Sequence, residues 1–143
     1  MELNSSRKLM VDMSATIIHH GHIRLLKKAS ELGSVVVALC TDEEILKWKG
    51  YTPELAYPHR AEVIASIRYV SDVIPAPWML DLDFIDSHGV EFLVHGDDNP
   101  HPIPKERMII FPRTVGVSSC DIRERTVGLQ DAWRSPNPST RCA

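Results

Sequence analysis

The unbroken apolar run Val35-Val36-Val37-Ala38-Leu39-Cys40 constrains this chain more than any other feature. A strand with one wet face alternates apolar and polar residues, whereas an uninterrupted run belongs to a strand covered on both faces, the mark of a parallel sheet flanked by helices. Residues 9–13, 91–95 and 108–111 form further apolar runs, and 72–74 a shorter one stopped by Pro75 and Pro77. Between them lie segments at helical spacing. Leu25, Leu26, Ala29 and Leu32 make one, with Gly33 closing it as a C′ residue; Thr41 or Asp42 caps a second, which Gly50 ends. Residues 59–70 carry Val63, Ile64 and Ile67 on one side, residues 79–88 stop at Gly89, and Ser118 and Ser119 cap a last helix running from about Cys120 to Val127. Strand and helix alternate, which predicts an α/β domain with an open, mostly parallel sheet and helices on both faces.

A chain of 143 residues suffices for one domain, expected over 8–130, with a flexible tail at 131–143 that contains Pro136 and Pro138. The formal charge is −3 and the basic residues are scattered, so no nucleic-acid surface is advertised. Cys40, Cys120 and Cys142 are odd in number and lack metal-ligand spacing, the pattern of reduced thiols. The first ten residues lack the apolar core of a signal peptide, and no stretch nears the roughly 20 apolar residues of a membrane span. A cytoplasmic protein is expected.

Ligands of open parallel sheets bind outside the carboxyl ends of the strands. There the chain places His19-His20-Gly21-His22 at a strand-to-helix junction, Gly96-Asp97-Asp98 after another strand, and the serine-capped helix. Gly21 permits close backbone approach, and free amides at a helix start beside two imidazoles form a cradle for phosphate. Taken alone, H-x-G-H reads more often as one histidine capping a helix beside ordinary surface histidines. A zinc site lacks a completing Cys, Asp or Glu at familiar spacing.

The same residues resemble the HxGH signature of the nucleotidyltransferase superfamily, in particular the cytidylyltransferases acting on glycerol phosphate, choline phosphate and ethanolamine phosphate. Cys40-Thr41-Asp42-Glu43 leading to Trp48-Lys49-Gly50 is similar to the family segment with an essential lysine, and His59-Arg60 to its following arginine. Arg68-Tyr69-Val70-Ser71-Asp72-Val73 and Ala76-Pro77-Trp78 resemble further family stretches. The stretch from Arg113-Thr114 through Gly116 to Ser118-Ser119 and Ile122 resembles the RTxGxSTxxI signature. The likeness runs from about Leu9 to Arg125 and implies a Rossmann-like fold of the HxGH nucleotidyltransferase type.

The resemblance implies that His19, His22, Lys49 and Arg113 are catalytic, holding the triphosphate and the reacting α-phosphate. It further implies nucleotide contacts from Ser14, Gly21, Lys47, Arg60, Gly96, Asp97, Ser118 and Ser119, with Ser118 and Ser119 gripping the departing phosphates. Thr16 and Trp78 are the acceptor-side candidates, and Mg²⁺ accompanies CTP, with Asp97 as its candidate ligand. Three readings stay open residue by residue: Arg60 at the nucleotide or on the surface, Trp78 lining the acceptor pocket or packing behind the proline turn, and Asp97-Asp98 as ligands or as a strand end. The implied partners are CTP, a small phosphate- or phosphonate-bearing acceptor, and a second copy of the chain. Where the family has G-x-F/Y-D, this chain has Met13-Ser14-Ala15-Thr16, a lead-in that resembles phosphonate-pathway cytidylyltransferases. An ATP-dependent adenylyltransferase of the same superfamily and a non-catalytic nucleotide-binding module are the alternatives.

Overall fold

The computed structural model of the chain describes residues 7–96 and 101–128. Its strands are β1 (Lys8–Met13), β2 (Ser34–Cys40), β3 (Asp72–Ala76), β4 (Phe92–Gly96) and β5 (Met108–Phe111). Its α-helices are α1 (His20–Ser30), α2 (Asp42–Lys49), α3 (Tyr57–Ala65), α4 (Leu82–Ser87) and α5 (Ser119–Gly128). The strands form one parallel sheet in the order β3-β2-β1-β4-β5. The chain walks outward from β1 to β3, then returns to lay β4 on the other side of β1. The connections leaving β1 and β4 therefore diverge, opening a crevice at their carboxyl ends.

Side chains alternate across the pleat, so each strand feeds two cores. Leu9, Val11 and Met13 share one face with Leu26 and Ala29 of α1 and Ile64 of α3. Met10 points the other way, to Ala38, Leu80, Leu93 and Ile85 of α4. Each such fully buried Leu, Ile, Val or Met side chain contributes roughly 1.5–3 kcal/mol by leaving water. Six of the seven residues of β2 are buried, as its unbroken apolar run requires. Helices do cover both faces.

Four expected boundaries move. The helix expected over 59–70 starts at Tyr57, because Pro58 sits in the first turn where its missing N–H costs nothing, and ends at Ala65. β3 passes through Pro75 to Ala76; it is an edge strand, where a residue without a ladder donor is tolerated. α1 stops at a right-handed Glu31, so Gly33 is not its cap. Gly33 is instead required by space, since a Cβ there would collide with the Arg7 carbonyl oxygen. The helix expected over 79–88 is only Leu82–Ser87, capped by the Asp81 side chain. The turns at Gly50 and Gly89 do adopt positive φ, at 78° and 66°. Among the described residues no helix is long and apolar enough to cross a membrane.

Candidate active site

The loop after β1 delivers His19 as the N-cap of α1 and His22 as its third residue. The Nδ1 of His19 accepts the Gly21 amide at 3.1 Å, and the Nδ1 of His22 accepts the His19 amide at 3.2 Å. This is a reciprocal capping box built from imidazoles. It also settles the tautomers: with both Nδ1 atoms accepting, each neutral ring carries its proton on Nε2. The rings lie with centroids 3.9 Å apart. Burial, then the neighbouring His19 and the Arg113 charge, push His22 down to about 4. His19 is lowered as well, by burial first and then by His20 and Arg113. Gly21 is where it is because a Cβ would sit 2.9 Å from the His19 ring and 3.2 Å from Val117. The pair thus forms two neutral N–H donors at a helix start.

These groups line a cleft of about 360 Å³ at the carboxyl ends of the strands. Arg113 and Ser118 reach it from the segment between β5 and α5, and Ser119 from the first residue of α5; Lys49 and Trp78 from beyond β2 and β3; Ser14, Thr16 and Gly96 from the ends of β1 and β4. Gly21, His19 and His22 complete the expected residues found there. The Ser118 hydroxyl oxygen accepts the Asp121 amide at 3.0 Å and so caps α5, which leaves its proton for another acceptor. The Ser119 hydroxyl donates to the Ile17 carbonyl at 2.9 Å, tying α5 to the loop after β1. The Lys49 ammonium stands 5.4 Å over the Trp78 ring, and Trp78 stacks with Trp48 at 6.4 Å. Trp78 therefore lines the cleft and is packed at the same time.

Two expected nucleotide contacts stand outside the lining. Lys47 is exposed and lies 5.8 Å over the Trp48 ring, because α2 turns it away from the side that carries Lys49. Arg60 is neither on the surface nor in the cleft: it is 0% exposed. Its Nε donates to the Leu55 carbonyl, one terminal nitrogen to the carbonyls of Ser14 and Cys40, and the other to the Asp42 carboxylate. Arg60 braces the loop that bears Ser14. Asp97, expected at the nucleotide or metal, lies outside the described residues, as does Asp98.

A third group on the cleft wall escaped the reading of the sequence. Asp12 accepts from His95 Nδ1 at 2.5 Å and from His101 Nε2 at 2.7 Å. Burial raises the Asp12 pKa, but the hydrogen bonds from His101 and His95 outweigh it and the net shift is downward, so the carboxylate is ionised and acts as acceptor. His101 is buried, and its Nδ1 accepts the Leu80 amide at 3.0 Å. The ligand atoms of Asp12, His95 and His101 lie within 4.8 Å of one another, the spacing of a candidate metal site. The chemistry does not suit Mg²⁺, which takes oxygen ligands, whereas two of these three are nitrogens. A backbone N–H on His101 Nδ1 further obliges Nε2 to keep its proton, so that nitrogen has no lone pair for a metal. The trio is a hydrogen-bonded wall. Its one signal in the sequence is an acid inside an apolar strand run.

An open parallel sheet with helices on both faces and a cleft at its switch point defines a Rossmann-like α/β protein of the HxGH nucleotidyltransferase type. The chain belongs to the cytidylyltransferase-like family, whose profile matches residues 14–125. CTP-linked nucleotidyl transfer is the activity of that class. Glycerol-3-phosphate cytidylyltransferase of Bacillus subtilis (strain 168) is 35% identical over 129 residues, covering 86% of this chain and 99% of that protein. Choline-phosphate cytidylyltransferase A of Rattus norvegicus is 31% identical over 135 residues, covering 85% of this chain and 36% of its own length. Ethanolamine-phosphate cytidylyltransferase of Mus musculus is 37% identical over 84 residues, 57% of this chain and 20% of that protein. The chain thus spans almost the whole of the Bacillus protein and only a minor part of the two mammalian ones. The crystal structure of the lipopolysaccharide core biosynthesis protein from Thermoplasma volcanium GSS1 superimposes with a TM-score of 0.58 at 18% identity, covering 87% of this chain and 88% of that one; this likeness concerns the fold alone.

Proposed function

We propose that this chain, through a catalytic domain over residues 8–130, transfers CMP from CTP to a small alkyl phosphate or phosphonate and releases pyrophosphate. An anionic oxygen of the acceptor attacks the α-phosphorus in line; the new P–O bond forms as the bond to the β-phosphate oxygen breaks. Such a nucleophile needs no strong base, so the work falls on alignment and on charge developing at phosphate oxygens. The two Nε2–H groups of His19 and His22 would donate to the phosphate chain. Lys49 and Arg113 would add positive charge on either side, and the Ser118 hydroxyl a further donor toward the departing pyrophosphate. Mg²⁺ would enter with CTP, held mainly by phosphate oxygens and water. Thr16 and Trp78 belong to the acceptor side in this reading, and a homodimer in a cytoplasmic setting completes it.

The observation that carries the proposal is the convergence of His19, His22, Lys49, Arg113 and Ser118 on one cleft of about 360 Å³. The test is a screen of CTP and ATP, with Mg²⁺, against glycerol 3-phosphate, choline phosphate, ethanolamine phosphate and small hydroxy- or aminoalkyl phosphonates, read by product mass and pyrophosphate release. A CMP-linked product from at least one acceptor is expected. Products from ATP alone, or CTP binding without turnover on any acceptor, would overturn the proposal.

A further inference from the structure

Helix α5 carries the serine start of the triphosphate end of the cleft, yet none of its residues is buried. An element without an apolar anchor is held by whatever polar contacts it makes, and such elements open most readily. Beyond the Ser119 bond to Ile17, the Arg123 side chain ties α5 to other described residues. Arg123 donates through Nε and a terminal nitrogen to the two carboxylate oxygens of Glu54, at 2.6 and 2.9 Å. The same terminal nitrogen reaches the Thr16 hydroxyl at 3.2 Å, and the guanidinium lies 4.7 Å over the Tyr51 ring. Three distant segments meet there: α5, the α2–α3 loop, and the turn between β1 and His19. Thr16 is 3% exposed and belongs to the cleft wall.

We propose that Arg123 is a positioning residue, a latch that fastens α5 across the α2–α3 loop and Thr16 so that Ser118, Ser119 and the Arg113 segment face the triphosphate. This rests on the reading of the cleft as a CTP site. A forked Arg–carboxylate pair has the geometry to define one closed position. At half-exposed Glu54 it is weak enough to open in each cycle, when pyrophosphate must leave. The hydrogen bond from Arg123 lowers the Glu54 pKa, so the pair is charged throughout the neutral range. Thr16, set on the acceptor side by sequence, then has a second task as the strike plate of the latch.

The test compares Arg123→Met, Glu54→Gln and the charge swap R123E/E54R in the full chain. Each single variant is expected to raise the KM for CTP and the inhibition constant of inorganic pyrophosphate about three- to tenfold, with kcat held or increased. The swap is expected to recover at least half of that loss in logarithmic terms. Amide hydrogen exchange over 119–128 is expected to quicken in Arg123→Met without ligand and to slow again with CTP. Single variants within about twofold of the parent in KM for CTP, exchange unchanged in Arg123→Met, or a swap no better than the single variants would each refute the latch. Should no acceptor yield a CMP-linked product, the functional reading fails by itself, and the exchange measurement still decides whether Arg123 fastens α5.

Discussion

Asp12 is the single acid of β1, on the pleat face that holds Met10, and it lies where that apolar face meets the cleft. A carboxylate there is stable only because two imidazoles donate to it, one from β4 and one from beyond it. Asp12→Asn keeps the shape and exchanges one acceptor oxygen for an NH₂ that faces an imidazole N–H. The expected result is a loss of about 1–3 kcal/mol in urea unfolding together with a raised KM for the acceptor. A loss under about 0.5 kcal/mol with unchanged kinetics would show that the wall tolerates a neutral amide. The presence of Asp12 was legible as an oddity in an apolar run. Its partners were not, since they stand 83 and 89 positions away and nothing local encodes that pairing. His19 and His22 are the opposite case, because both their spacing and their capping are local.

At the scale of elements, β2 and α2 could be read closely, because an unbroken apolar run and a capped helix ending in glycine are written in consecutive residues. The start of α3 could not. Tyr57-Pro58 looks like loop until tertiary contacts favour a helix, and the Asp42 carboxylate accepting the Tyr57 amide at 2.9 Å is one of them. The other is Arg60, which joins the α3 start, the ends of β1 and β2 and the α2 start through one guanidinium. Its planar fork serves acceptors in several directions, which a lysine ammonium on a flexible stem cannot reproduce. Arg60→Met would leave three carbonyl oxygens and the Asp42 carboxylate without this donor, at a cost of about 3 kcal/mol in denaturant unfolding. Arg60→Lys should recover only part of it. CTP affinity should fall in both, through the loop bearing Ser14, and a stable Arg60→Met protein with parental CTP affinity would show the brace to be dispensable.

For the molecule as a whole, the alternation of strand and helix leads to the parallel sheet, and the sheet leads to the cleft; these follow from burial patterns that any chain must satisfy. The electrostatic state of the cleft follows instead from three-dimensional packing, and it has a consequence for acid stability. His22 is held down to about 4 from its ordinary value of 6.5, and His19 is shifted the same way. Between those two values the unfolded chain binds protons that the native chain refuses, so native stability must fall as pH falls through that window and level off below it. Asp12 acts in the same direction but only below the ordinary carboxylate value of 3.8, which separates the two effects. His22→Gln isolates the first: a glutamine in the third helical position can still accept the His19 amide, as in an ordinary capping box, yet it does not titrate. Urea midpoints taken from about pH 7 down to about pH 4.5 should therefore decline more steeply for the parent chain than for His22→Gln. Parallel declines in the two proteins would mean that the acid sensitivity arises elsewhere and that the fold does not hold the His19–His22 pair neutral.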